Sequence, residues 1–169
     1  MDGDLLRIIL IGIFLILSAF FSSSEAAFLS LQKTRLSYLV SNKIPGAKRI
    51  SEMVNNTERL LSTILLGNNL VNVALSALIT ALCVDLMKDS STLAIPVAIG
   101  IGTVLLLIFG EIIPKSIAVK NAEKTSFLFA KPLKIFETSL FPITVLLQWL
   151  SQITQSIFGQ DNEKEEGVT

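Results

Sequence analysis

Residues 93–119 read LAIPVAIGIGTVLLLIFGEIIPKSIAV, and the first eighteen of them, 93–110, carry no charge. A helix rises about 1.5 Å per residue, so this stretch is long enough to cross a hydrocarbon core of about 30 Å. Two further runs, 5–28 and 60–84, share the pattern, with charge only near the ends of the first. The segments between the first two and after the third are basic, whereas the loop 85–92 carries one lysine and two aspartates. Charged residues make up 17% of the chain, against about 25% in an average soluble domain. Mean hydropathy is +0.65. The fold class predicted is an all-α membrane protein, with three transmembrane helices per subunit at about 5–28, 60–84 and 93–119 and amphipathic helices beside the membrane.

Composition removes several function classes. The formal net charge is zero, so no basic field argues for nucleic acid. The single cysteine, Cys83, cannot form a disulfide scaffold or a thiolate cluster within one chain. With no histidine, zinc-protease motifs and Ser-His-Asp triads are excluded. A cleaved signal peptide opens with positive residues, whereas this chain opens Met1-Asp2-Gly3-Asp4. The first run is therefore read as a span.

The basic residues set the expected orientation. Lys33, Arg35, Lys43, Lys48, Arg49 and Arg59 separate spans one and two, and Lys115, Lys120, Lys124, Lys131 and Lys134 lie at or beyond the end of span three. Basic loops stay in the cytoplasm, which predicts a cell-membrane protein with its N-terminus outside and its C-terminus inside. In the connector 31–56, a helix over 31–42 is expected to break at Ile44-Pro45-Gly46 and resume over 47–56. Residues 127–158 are expected to form juxtamembrane helices divided at Pro132 and Pro142. Over 142–158, Thr144, Gln148, Ser151, Gln152 and Gln155 form a polar stripe and Trp149 suits the headgroup level. An interfacial helix is preferred over a fourth span. The membrane domain is thus 1–158, and 159–169 reads as a polar tail or linker.

Polar clusters interrupt all three spans. Span one ends Ser22-Ser23-Ser24-Glu25-Ala26-Ala27, span two contains Gly67-Asn68-Asn69-Leu70-Val71-Asn72, and span three contains Gly110-Glu111-Ile112-Ile113-Pro114-Lys115-Ser116. Such residues are costly in lipid and face protein or water. Counting from the cytoplasmic ends, Ser24, Asn68 and Glu111 each lie roughly 6–14 Å deep, so three helices contribute polarity to one layer. Asn68, Asn72, Ser76 and Thr80 recur at four-residue spacing along one face. Pro114 has no N–H for the carbonyl of Gly110, and transporters use such broken helices to hold cations on backbone oxygens. The donors are hydroxyl, amide, carbonyl and carboxylate oxygens, which suit Mg²⁺, Ca²⁺, Mn²⁺ or Na⁺.

Each cluster also has a plain reading. The serines and asparagines can be helix-packing residues. Glu111 can be neutralised by Lys115, four residues on, and Glu25 can be solvated or paired with Lys115. Small residues at Ala94, Ala98 and Gly102, and at Ala77 and Ala81, permit close helix approach. They suggest a homodimer packed through these faces, with packing inside one chain as the alternative.

The three polar motifs, in this order and in these spans, resemble the transmembrane domain of the CNNM/CorC family of magnesium transporters, and the resemblance covers nearly the whole chain. It implies a homodimer with three spans per subunit, a belt of juxtamembrane helices, and Mg²⁺ export with Na⁺ as the coupling ion. It points to Ser23, Ser24, Asn68, Asn72, Gly110 and Glu111 as metal ligands, supported by Ser22, Glu25, Asn69, Pro114 and Lys115. Family members continue into a cytosolic CBS-domain pair that binds ATP. This chain stops soon after Phe158, as expected for the membrane portion of a longer protein. Two other readings compete with transport: a membrane scaffold or ion sensor for cytosolic domains, and an intramembrane hydrolase using Ser24 and Lys115. The second is disfavoured because Glu111 and Glu25 hold the lysine charged, so no enzyme is expected.

Overall fold

A computed structural model describes residues 2–87 and 91–158, with the side chains of 2, 91, 141 and 144–158 left undescribed. Among the described residues the chain is helical without strands, and three helices are long and apolar enough to cross a membrane. The first is α1 (Asp2–Ser30). Two short helices follow, α2 (Lys33–Ser41) and α3 (Ala47–Asn55), and then the second long helix, α4 (Thr57–Leu86). The third crossing is composite: α5 (Ser91–Leu105), a π-helical segment (Leu106–Ile112), and α6 (Ile113–Lys120). Last comes α7 (Ala122–Phe158).

The connector folds as its punctuation dictates. Lys43 and Gly46 both take positive φ, 56° and 91°, a region that glycine enters without steric cost. The turn reverses the chain so that Leu36 and Leu39 of α2 and Ala47, Ile50 and Met53 of α3 are all buried. Their three-residue spacing makes one apolar face per helix. These faces join Phe21, Phe28, Leu60, Ile64 and Val71 from the spans and Leu133 from α7 in the main core. Phe21 packs edge-on against Phe20 and Phe136, each with ring centroids 5.1 Å apart. The core thus sits at the connector end of the bundle. A smaller cluster, Leu75, Ile79 and Ala98, closes the opposite end, where Arg7 of α1 pairs with Asp85 of α4.

One expectation is corrected, and one open choice is narrowed. First, α7 is one continuous helix through Pro132 and Pro142, not a divided set. Each proline removes one backbone bond, and Ala130, Leu133 and Glu137, all buried, pin the helix on both sides of Pro132. Glu137 meets Arg59 of α4 at 2.6 Å and Lys134 at 3.0 Å. α7 is not among the three helices apolar enough to cross. The polar stripe expected at Thr144, Gln148, Ser151, Gln152 and Gln155, and Trp149 with it, lies outside the described side chains, and the tail 159–169 lies outside the described residues. Second, Ala94 and Ala98 are 0% and 2% exposed, and Ile79 side-chain atoms lie 3.5 Å from where a Cβ on Gly102 would stand. That stripe packs against α4 within the chain, whereas Ala77 and Ala81 are exposed. Small residues are used here to bring two helices of one chain together.

Candidate functional site

Contacts set the register of the three crossings. Ser18 meets Asn72 and Phe21 meets Gly67, so α1 and α4 run antiparallel. Ser18 also meets Gly110, Glu25 meets Lys115, and Ala26 and Ala27 pack with Ala118. The third crossing therefore runs parallel to α1, and Pro114 stands level with Ser22. By the antiparallel register Asn68 stands at that level too.

Glycine permits both close approaches. A Cβ on Gly67 would clash with the edge of the Phe21 ring, and one on Gly110 would lie 2.8 Å from the Ser18 hydroxyl oxygen. Ser18, fully buried, donates a hydrogen bond of 2.8 Å to Oδ1 of Asn72. Ser18, Asn72 and Gly110 thus bring all three crossings to one point. It lies about 18 Å from the Ser30 end of α1 at about 1.5 Å per residue, deeper than the expected layer.

One turn nearer the connector lie Ser22 and Asn68. The Ser22 hydroxyl and the Asn68 side-chain oxygen are both buried and have no hydrogen-bond partner among the described residues. A buried polar group left unpaired costs about 1–3 kcal/mol, and a bound water or ion is one way such a group is satisfied. The π segment adds backbone oxygens at this level. The Ile113 N–H goes to the carbonyl of Ile108, which takes from Phe109 the donor an α-helix would give it. Pro114 has no N–H for Gly110. Helix carbonyls point toward the C-terminal end, so those of Phe109 and Gly110 point toward the level of Pro114, Ser22 and Asn68. π-Helical turns of this kind are frequent at functional sites.

The charges are divided between two carboxylates. Lys115 Nζ lies 2.9 Å from the Glu25 carboxylate; its partner is on α1 and is not Glu111. Among the described residues no cation pairs with Glu111, which is half-buried beside Gly110. The remaining predicted residues stand apart from this point. Ser24 is fully buried, but its hydroxyl donates to the Phe20 carbonyl at 2.8 Å. At about 100° per residue it sits some 160° around the helix from Ser22. Ser23 makes no side-chain hydrogen bond among the described residues, and Asn69 is exposed. The Ser24–Lys115 pair of a hydrolase is not assembled, because each group bonds elsewhere. No group of three or more Cys, Asp and Glu residues gathers among the described residues, so a cation here would rest mainly on neutral oxygens.

Ser18 is the participant that the motifs did not reveal. Its signal was available in the four-residue step to Ser22, which places both on one face. Asn72 begins the stripe toward the other end. Ser76 and Thr80 line a cleft of about 200 Å³ between α4 and α5, with Ala98, Gly102 and Thr103 opposite.

Three long apolar helices that enclose buried polar side chains define a multi-pass membrane domain. Residues 8–169 match the family described as the Cyclin M transmembrane N-terminal domain (CNNM), and the chain belongs to that family. It is 43% identical over 145 residues to a UPF0053 protein of Haemophilus influenzae, covering 86% of this chain and 33% of the relative. It is 35% identical over 147 residues to the UPF0053 inner membrane protein YfjD of Escherichia coli (strain K12), covering 85% and 33%. A chloroplastic DUF21 domain-containing protein of Arabidopsis thaliana is 30% identical over 161 residues, covering 95% and 24%. The chain spans a third or less of the length of these relatives.

Proposed function

We propose that this membrane domain carries Mg²⁺ from the cytoplasm to the outside, binding it between α1, α4 and the π segment. The observation that carries this reading is the pair of buried, unpartnered oxygens on Ser22 and Asn68, level with the backbone oxygens freed at Pro114. Ser22, Asn68, Asn72, the Gly110 carbonyl and Glu111 supply the hard oxygens that Mg²⁺ requires. Ser18 keeps the Asn72 amide oxygen aimed, and that oxygen retains a second lone pair. Mg²⁺ parts with water reluctantly and keeps several waters where few carboxylates are offered, so a site with Glu111 as its one acidic ligand takes a partly hydrated ion. The π segment provides the moving part. Conversion of its wide turn to α-helix would swing Gly110 and Glu111 relative to Ser18 and release the ion toward the opposite end. Ser23 and Ser24, which the family resemblance implies as ligands, would join only if α1 rotates.

The same reading places the basic connector end in the cytoplasm, takes Na⁺ as the coupling ion, and pairs two copies as a homodimer. In the longer protein a cytosolic CBS-domain pair would follow α7. Flux of Mg²⁺ into proteoliposomes holding the purified chain tests the proposal. Flux in the wild type that is lost in Glu111→Ala supports transport. Mg²⁺ binding without flux would make the domain an ion sensor for attached cytosolic domains, as its small share of its relatives' length allows.

A further inference from the structure

The charged surface at the connector end holds a second arrangement, independent of the ion path. Arg49 of α3 and Lys131 of α7 both line an open cleft of about 520 Å³, with Lys134, Ile135, Thr138 and Ser139. Arg49 and Lys131 also share the rim of an adjoining cleft of about 330 Å³ beside Pro45, Gly46 and Phe127. Lys134 is held by Glu137 at 3.0 Å, and Arg59 by the same carboxylate at 2.6 Å. Among the described residues, no carboxylate is paired with Arg49 or Lys131. Two cations with no ion pair among the described residues thus line one opening, with hydroxyls beside them; on its other side Arg49 borders Glu52 and Glu137 in a smaller cleft. Next to Lys131 on the same α7 face, Ile135 stands 68% exposed, an apolar surface below a cationic rim.

We infer that this cleft is a binding site for an anionic phospholipid of the surrounding bilayer, its phosphate between Arg49 and Lys131 and an acyl chain along Ile135. Basic pockets between helices at the membrane surface take such headgroups. Arginine adds a planar fork that matches phosphate oxygens. The apolar neighbour selects a lipid over a free anion, because inorganic phosphate has nothing to place against Ile135. Lys134 lines the site and also joins the Arg59–Glu137 pair that holds α7 to the start of α4, so a lipid bound here would brace the same junction.

The test is native mass spectrometry of the purified chain with phosphatidylglycerol or phosphatidylcholine, comparing wild type, Arg49→Gln/Lys131→Gln and the control Lys33→Gln/Lys120→Gln. Retention of phosphatidylglycerol over phosphatidylcholine is expected in wild type and control. Each surface cation contributes about five-fold to such binding, so the Arg49/Lys131 variant should lose about 25-fold. Arg49→Lys/Lys131→Arg should keep most of the affinity, which separates lost charge from lost fold. Equal loss in the control, no headgroup preference, or displacement of the lipid by millimolar inorganic phosphate would each overturn the assignment.

Discussion

The hydroxyl of Ser18 bonds the amide oxygen of Asn72 at 2.8 Å while standing 2.8 Å from the place a Cβ on Gly110 would occupy. One small side chain therefore limits how close the third crossing comes to the first and aims a polar group of the second. Gly110→Ala should destabilise the domain by about 1–3 kcal/mol through overpacking, read as a lower thermal midpoint in detergent. Ser18→Ala in the same chain should recover part of that loss, since the nearest remaining atom, the Ser18 Cβ, lies at an ordinary 3.4 Å. A double variant no more stable than Gly110→Ala alone would show that the contact is not what limits the approach.

The Arg59–Glu137 pair predicts an asymmetry. Glu137 is 6% exposed and Arg59 is 41% exposed at the side chain. Arg59→Gln leaves a buried carboxylate with Lys134 as its remaining cation in the described pairings, while Glu137→Gln leaves a guanidinium that water can reach. Breaking a buried pair costs about 3–5 kcal/mol when a buried charge is stranded. Arg59→Gln should approach that range, and Glu137→Gln should cost about 1–2 kcal/mol less by the difference in desolvation. Denaturant unfolding of the two variants reads the order, and the reverse order contradicts the geometry.

Across the connector, Arg35 bonds Glu123 at 2.9 Å and lowers its pKa below the ordinary carboxylate range. A carboxylate whose folded pKa is depressed adds stability above its unfolded value of about 4.3, and that stability is lost as pH falls through the folded value. Both groups are exposed, so the effect is small and weakened by salt. The wild type should be more stable than Glu123→Gln at neutral pH, with the two curves converging below about pH 4. A difference that persists in acid would assign the role of Glu123 to something other than this ion pair.

Lys115 and Glu25 test whether Glu111 stays available. Their exposures of 40% and 37% put the pair near the surface range, about 0.2–1 kcal/mol in a double-mutant cycle. The cycle Glu25→Gln with Lys115→Gln should give a coupling in that range, while Glu111→Gln with Lys115→Gln should give none. Coupling of Lys115 to Glu111 instead would return Glu111 to a structural role.

Long-range charge segregation was legible in the sequence because lipid tolerates so few charges: the three crossings follow the runs around 5–28, 60–84 and 93–119. The break at Pro114 was legible too, since a missing N–H is a local fact. Its form was not. Whether a helix absorbs a proline by kinking or by a wide π turn depends on what packs beside it, here Ser18 against Gly110. Adjacent serines could not be told apart for a related reason, because neighbours in sequence point to different sides of a helix. Ser22 faces the layer of Asn68, while the Ser24 hydroxyl turns back along its own helix to the Phe20 carbonyl. The alanines of α5 were ambiguous until Ile79 filled the space above Gly102, since small residues serve contacts within and between chains alike.

If the oxygens of Ser22 and Asn68, unpartnered among the described residues, belong to a cation site, thermal unfolding of the purified chain with and without Mg²⁺ will show it. Wild type should gain stability in Mg²⁺ by mass action. Asn68→Leu removes a buried acceptor that has no partner, so without Mg²⁺ it should melt no lower than wild type; with Mg²⁺ it should gain nothing. A variant that loses stability without the ion and still responds fully to Mg²⁺ would contradict the account.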